Sequence, residues 1–263
     1  MIELAPNRKQ GLALTNPLMA APGAMGFGGE AGGLIELDRF GAIVTSAISL
    51  RPRRGSTPPR CLDVRGGVLL NHGGANPGWS RALAQFGGAW ARSKVPLIVH
   101  LVGRTSLPEL ARRVEGTRDI AGIEVDLEDE AALTYLTALR AASELPLVVR
   151  LSHAKAAALA PLAVQAGADA LVCSAPPRGV AMDWSVGQMV NGELFGPLVK
   201  ALALHAVRDV LVTVQTPVIA CGGVHSKEDT NEFLAAGASA VMIDSLAWVD
   251  PRAVNEILLN RER

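Results

Sequence analysis

The 263-residue chain is predicted to fold as an α/β protein, a (β/α)8 TIM barrel with insertions after the second and sixth strands, forming one domain over residues 1–263. Three observations carry this expectation. Eight short apolar runs lie bounded by glycine or proline, and helix-like segments fill most of the intervals between them. The runs begin roughly 22 to 25 residues apart, except after the second and the sixth, where the interval about doubles.

In chain order the runs are PLMAAPG (17–23), AIVTSA (42–47), PLIVHLVG (96–103), GIEVDL (122–127), PLVVRLS (146–152), DALVCSA (169–175), PVIACGG (217–223) and SAVMID (239–244). The segments SLPELARRVEG (106–116), EDEAALTYLTALRAAS (128–143), HAKAAALAPLAVQAG (153–167) and SKEDTNEFLAAG (226–237) read as helices, several of them ending at glycine. A doubly wound open sheet is the alternative. It usually carries GxGxxG after the first strand, where this chain reads APGAMGFGG. The doubled intervals, residues 48–95 and 174–216, both follow the carboxyl end of a strand. Barrel enzymes build their active sites from such loops, so ligand contacts are expected there.

Composition narrows the function classes. Lysine plus arginine is 25 and aspartate plus glutamate is 25, so no basic surplus exists to neutralise a phosphate backbone, and no nucleic-acid partner is expected. Charged residues are 19% and aromatics 4%, which leaves an aliphatic chain of the kind found in α/β enzymes. Three cysteines without a CxxC pair indicate neither a disulfide framework nor a structural zinc site, in keeping with a reducing cytoplasm. The opening MIELAPNRKQ is polar, and no stretch reaches 18 apolar residues, so neither a secretion signal nor a membrane span is expected. A small-molecule substrate is.

Candidate functional residues cluster at strand ends. Glu124 and Asp126 stand two apart and share a face, with His100 near the end of the preceding strand and Arg150 near the end of the following one. Buried charges persist when paired. The cluster therefore either fills the top layer of the barrel with salt bridges or faces a ligand, and Arg150 is the leading candidate for binding an anion. The seventh run ends in CGGVHSKED, where Gly222 and Gly223 allow close approach of backbone amides to a phosphate, and Ser226 with Asp229 reads as a capping box. The alternative is an ordinary tight turn. In GVLLNHGGANPG (67–78), Asn71, His72 and Asn76 make either a substrate-recognition loop or a glycine- and Asx-stabilised turn. RPRRGSTPPR (51–60) reads as a solvated basic loop, and Cys61, Cys173 and Cys221 as small core residues. None of the five lysines (Lys9, Lys94, Lys155, Lys200, Lys227) falls in a predicted strand, which disfavours a Schiff-base aldolase.

Taken in order, TNPLMAAPGAMGFG (15–28), GAIVTSAISLRPRRGSTPPR (41–60), LLNHGGANPG (69–78), PLVVRLS (146–152), AGADALV (166–172), LFGPLVKALAL (194–204) and TPVIACGGVHSKEDTNEFLAAGASAVMI (216–243) resemble the class 1 dihydroorotate dehydrogenase family. The resemblance implies a homodimeric FMN barrel that oxidises dihydroorotate to orotate in pyrimidine biosynthesis. It places the FMN phosphate at amides near Gly196, Gly222, Gly223 and Asp244–Ser245, and the ring near Ala21 and Gly23. The chemistry-bearing positions depart from the family pattern. Ser46 and Arg150 stand where the family has lysines, and His100, Asp126 and Ala175 where it has asparagines. Asp244–Ser245 replaces glycine–threonine, and LEDEAALT (127–134) lacks the family's asparagine-rich loop with its Cys or Ser base. Asn71 and Asn76 are retained as substrate contacts, and His72 becomes the candidate base, since an imidazole suits proton abstraction near neutral pH. Two other classes stay open at this point: a relative without dihydroorotate chemistry that acts as a ligand-binding or scaffold protein, and a metal-dependent lyase or hydrolase using His100, Glu124 and Asp126.

Overall fold

All eight apolar runs become strands of one closed parallel barrel: β1 (Leu18–Ala20), β2 (Ala42–Val44), β3 (Leu97–Leu101), β4 (Gly122–Leu127), β5 (Leu147–Leu151), β6 (Ala170–Cys173), β7 (Val218–Cys221) and β8 (Ala240–Ile243). The structure, a computed structural model, describes residues 1–28, 30 and 33–259. Strand order around the barrel follows the sequence, with β8 pairing β1 to close it. This is the expected (β/α)8 TIM barrel, and closure rules out the open sheet. Most strand residues are buried whichever way they point, because one face meets the barrel interior and the other the surrounding helices.

The helices follow from their patterns. In α2 (Leu107–Glu115) the buried residues Leu107, Leu110, Ala111 and Val114 recur at helical spacing, while Arg112 and Arg113 stay exposed near its end. α1 (Trp79–Trp90) buries Trp79, Ala82, Phe86 and Trp90, and the Trp90 indole donates to the Phe27 carbonyl at 2.7 Å. α3 (Leu133–Arg140) and α4 (Ala156–Gln165) are each entered through a short 3-10 turn, so both begin a few residues later than their sequence patterns suggest. α5 (Val199–Leu211) precedes β7, α6 (Lys227–Ala235) follows it, and α7 (Leu246–Val249) and α8 (Pro251–Leu259) close the ring. The N-cap at α6 forms as expected, with Ser226 Oγ accepting from the Asp229 amide at 3.1 Å, while the Asp229 carboxylate reaches one residue beyond the N-cap and accepts from the His225 amide at 2.9 Å.

The two insertions meet. Antiparallel strands Cys61–Val64 and Gly67–Leu70 from the first pair with Arg178–Asp183 and Gln188–Phe195 from the second, forming a four-stranded sheet in which Gly67–Leu70 lies beside Gln188–Phe195. Cys61 lies exposed on this sheet, so it is not the core residue expected, whereas Cys173 and Cys221 are buried. At the other end of the barrel, a short ribbon of Ile2–Glu3 and Ala13–Leu14 packs Leu4, Leu12 and Leu14 into the core. Its Arg8 pairs with Asp169 at 2.7 Å.

Candidate active site

The register of β3, β4 and β5 sets His100 beside Glu124 and Asp126 beside Arg150. Side chains two apart on β4 share a face, so the four polar groups converge. His100 Nδ1 lies 3.0 Å from Glu124 Oε1 and its Nε2 3.4 Å from Asp126 Oδ2. Arg150 Nε donates to Asp126 Oδ1 at 2.6 Å and lies 3.9 Å from Glu124 Oε1. With a carboxylate at each ring nitrogen, His100 is held as an imidazolium. Burial alone would discharge it, but the charge and hydrogen bond of Asp126 and the hydrogen bond of Glu124 outweigh burial and raise its pKa to about 9. Asp126 shifts the other way: burial opposes its charge, yet Arg150 and His100 hold it well below the usual carboxylate range. Two cations and two carboxylates thus balance. One atom is left over, since Glu124 Oε2 is buried without a hydrogen-bond partner.

Above this cluster, at the carboxyl ends of the strands, lie two adjoining cavities of about 290 and 480 Å³ that share Arg150, Pro176 and Glu193 in their walls. The first brings together Ala21, Gly23 and Ser46, His100 and Arg150, and His72 and Asp244 in its walls. Asp126 faces the second cavity. Gly23 has φ +78°, a conformation that suits glycine, and a Cβ placed there would touch Ser46 Oγ at 3.6 Å. The resulting floor of small side chains is low. Among the wall residues that the sequence reading did not single out are Glu193, Phe195 and Trp248, the last two in edge-to-face contact at 5.2 Å. Only the pairing of the two insertions brings the first two over the barrel, and no local pattern signals it.

Just beyond Cys221, which lines the first cavity, Gly222 and Gly223 turn with φ +124° and +73°. A Cβ on Gly223 would stand 2.3 Å from the Lys200 amide nitrogen, so glycine is required for the β7 turn to sit against the start of α5. Gly196, with φ +127°, makes a similar close approach to Gly66 and Gly67. Asp244 is buried, and its Oδ1 accepts from the Ser245 amide at 2.6 Å.

The loop carrying Asn71, His72 and Asn76 divides by role. Asn76 Oδ1 accepts from the Ser49 amide and hydroxyl and the Gly78 amide at 3.1, 2.9 and 2.9 Å, while its Nδ2 donates to the Gly74 carbonyl at 2.8 Å. Asn71 Oδ1 accepts from the Ser56 hydroxyl at 2.8 Å. Neither asparagine is among the cavity-lining side chains, whereas His72 is. His72 Nδ1 accepts from the Gly74 amide at 3.0 Å, which leaves the ring proton on Nε2, 3.9 Å from Glu193 Oε2. Among the described residues, no group of three His, Cys, Asp or Glu side chains is arranged to hold a metal ion. Burial pushes the Cys173 thiol up to about 12 and that of Cys221 well above its ordinary value, so neither is a ready nucleophile.

A closed barrel with a rim cavity, small residues on its floor and cations in its wall defines a small-molecule site of the kind barrel enzymes carry. The family model for dihydroorotate dehydrogenase matches residues 7–120 and 119–261, nearly the whole chain. The chain is 35% identical, over 96% of its length and 90% of the relative's, to dihydroorotate dehydrogenase B (NAD(+)), catalytic subunit, of Pelobacter propionicus. It is 34% identical to the protein of the same name from Trichlorobacter lovleyi, with the same two coverages, and 32% identical to that of Geotalea uraniireducens over 94% and 88%. The chain belongs to the dihydroorotate dehydrogenase family.

Proposed function

We propose that this chain is a dihydroorotate dehydrogenase-type oxidoreductase of pyrimidine biosynthesis with FMN as its cofactor. The observation that carries the reading is the coincidence of the family match with the rim cavity, in whose walls Ala21, Gly23, Ser46, His100, Arg150 and Asp244 meet. The flavin fits the ring end of that cavity on chemical grounds. Its floor is built of small residues, and the Arg150 guanidinium in its wall suits a ring that accepts electron density. In this reading the phosphate is held by the loops beyond Cys221 and Asp244 of the cavity wall, which carry Gly222, Gly223 and Ser245, with Gly196 assigned there by the family resemblance.

FMN supplies a hydride acceptor when bound. The chain's own groups do the rest. Arg150 faces the substrate carboxylate or the ring from the cavity wall, and Asp126, Glu124 and the imidazolium of His100 hold it in place. His72 is the proposed base. Its lone pair is on Nδ1, so proton abstraction requires the Gly74 contact to open, after which Glu193 stabilises the charged imidazolium through Nε2. In this reading Asn71 and Asn76 serve the substrate by shaping the loop that presents His72.

A homodimer is supported by the exposed apolar face of the Arg178–Phe195 hairpin, where Trp184 is 86% exposed and Val180, Val186 and Met189 add to the patch. A cytoplasmic setting is supported by three unpaired cysteines, and no helix among the described residues is long and apolar enough to cross a membrane. The test is anaerobic addition of dihydroorotate to the FMN-loaded chain, followed by flavin absorbance. The expected result is bleaching, slowed about a hundredfold or more in His72→Ala. Bound flavin that dihydroorotate does not bleach would select the second reading, a ligand-binding relative, which the absence of the family's base motif in LEDEAALT favours.

A further inference from the structure

The tail end of the cavity holds an acid that the proposed chemistry leaves without a role. Asp244 ends the β8 segment, is 5% exposed and lines the cavity. Its Oδ1 accepts from the Ser245 amide at 2.6 Å and from the Ser245 hydroxyl at 3.1 Å, and that hydroxyl lies 3.2 Å from His225 Nε2. The ionisable groups facing this end are Cys221 on β7 and His225 in the following turn, with Arg150, His100 and Glu124 farther along the barrel top. From the β1 side come Ala21, Pro22 and Gly23, which carry no charge. Burial pushes the Asp244 carboxyl up, against the pull of the Ser245 hydrogen bonds and His225.

A terminal phosphate binds barrels of this kind at the loops after the seventh and eighth strands. Here the Asp244 carboxylate, which lines the cavity, already accepts from the Ser245 amide, a donor of the loop after β8. Resting on the flavin reading, we propose that Asp244 must carry a proton before a flavin phosphate is admitted, so that FMN binding takes up a proton and binding of a flavin without phosphate does not. An ionised Asp244 about 5 Å from the phosphate, at an effective dielectric of about 20, lowers affinity on the order of a hundredfold per phosphate charge. A protonated Asp244 removes that repulsion and donates its O–H to a phosphate oxygen.

The experiment is fluorescence titration of the full chain with FMN and, separately, with riboflavin across about pH 5.5–8.5, for wild type, Asp244→Asn and Asp244→Gly. The phosphate's own ionisation near pH 6 affects all three proteins alike. The expected result is that wild-type affinity for FMN falls at least tenfold more between pH 6 and 8 than that of either variant. Both variants then bind FMN more tightly than wild type at pH 8, and riboflavin affinity stays flat with pH in all three. Riboflavin binding with superimposable FMN profiles would overturn the proposal and leave the flavin reading intact. Failure of all three proteins to bind either flavin would overturn both.

Discussion

Carboxylates stand at two places at the carboxyl ends of the barrel strands, and they behave in opposite ways. Glu124 and Asp126 on β4 stand among cations, with His100 on one neighbouring strand and Arg150 on the other. Asp244 at the end of β8 accepts from the amide and hydroxyl of Ser245 and has no ion-pair partner among the described residues. Asp126 is pushed down and Asp244 up, although burial opposes the charge of both. The difference shows that burial sets the penalty and the neighbours decide the outcome. It also divides the cavity into an end where fixed charges of both signs are paired and an end whose charge depends on a proton.

The comparison breaks most severely if the paired end loses a cation. Arg150→Met leaves Asp126 and Glu124 sharing His100 alone, and removing one partner of a buried ion pair costs about 3–5 kcal/mol. Denaturant unfolding should show a loss of that size; a loss below about 1 kcal/mol would mean that the cluster is solvated and its charges independent.

A smaller effect sharpens the same contrast by pH. His100 has a folded pKa of about 9, above its ordinary 6.5, so its contribution is fully present below about pH 6.5 and lost as pH rises through about 9. The shift corresponds to about 3 kcal/mol. Asp126 shifts downward, so its contribution is present above the ordinary carboxylate pKa and lost only as pH falls below that range. The thermal midpoint should therefore drop by several degrees between pH 6.5 and 9.5. His100→Asn should remove most of that drop, and an equal drop in the variant would place the titration elsewhere.

The barrel was legible because its signals are local. Each strand is a short apolar run between breakers, and each interval long enough for a helix mostly holds one. The sheet joining the insertions was not legible, since residues 61–70 and 178–195 are far apart in the chain and nothing near either names its partner. The ribbon at residues 2–14 escaped because its strands are two residues each. In the site, the Glu124–Asp126 spacing and the succession of His100 and Arg150 on adjacent strands were enough to bring the four groups together. The sequence showed Asn71, His72 and Asn76 as one polar loop, but which of them turns to the backbone depends on Ser49 and Ser56, more than ten residues away. The bond between Asp244 and its neighbour Ser245 depends on how the chain leaves β8, which residue identity alone does not reveal.

The most direct measurement is the visible absorption spectrum of the purified chain, before and after heat release of its cofactor, with the released compound identified by mass. Flavin bands are expected, about one FMN per chain, recovered on adding FMN back to the stripped protein. A colourless protein that takes up no FMN at any pH between about 5.5 and 8.5 would contradict the flavin reading.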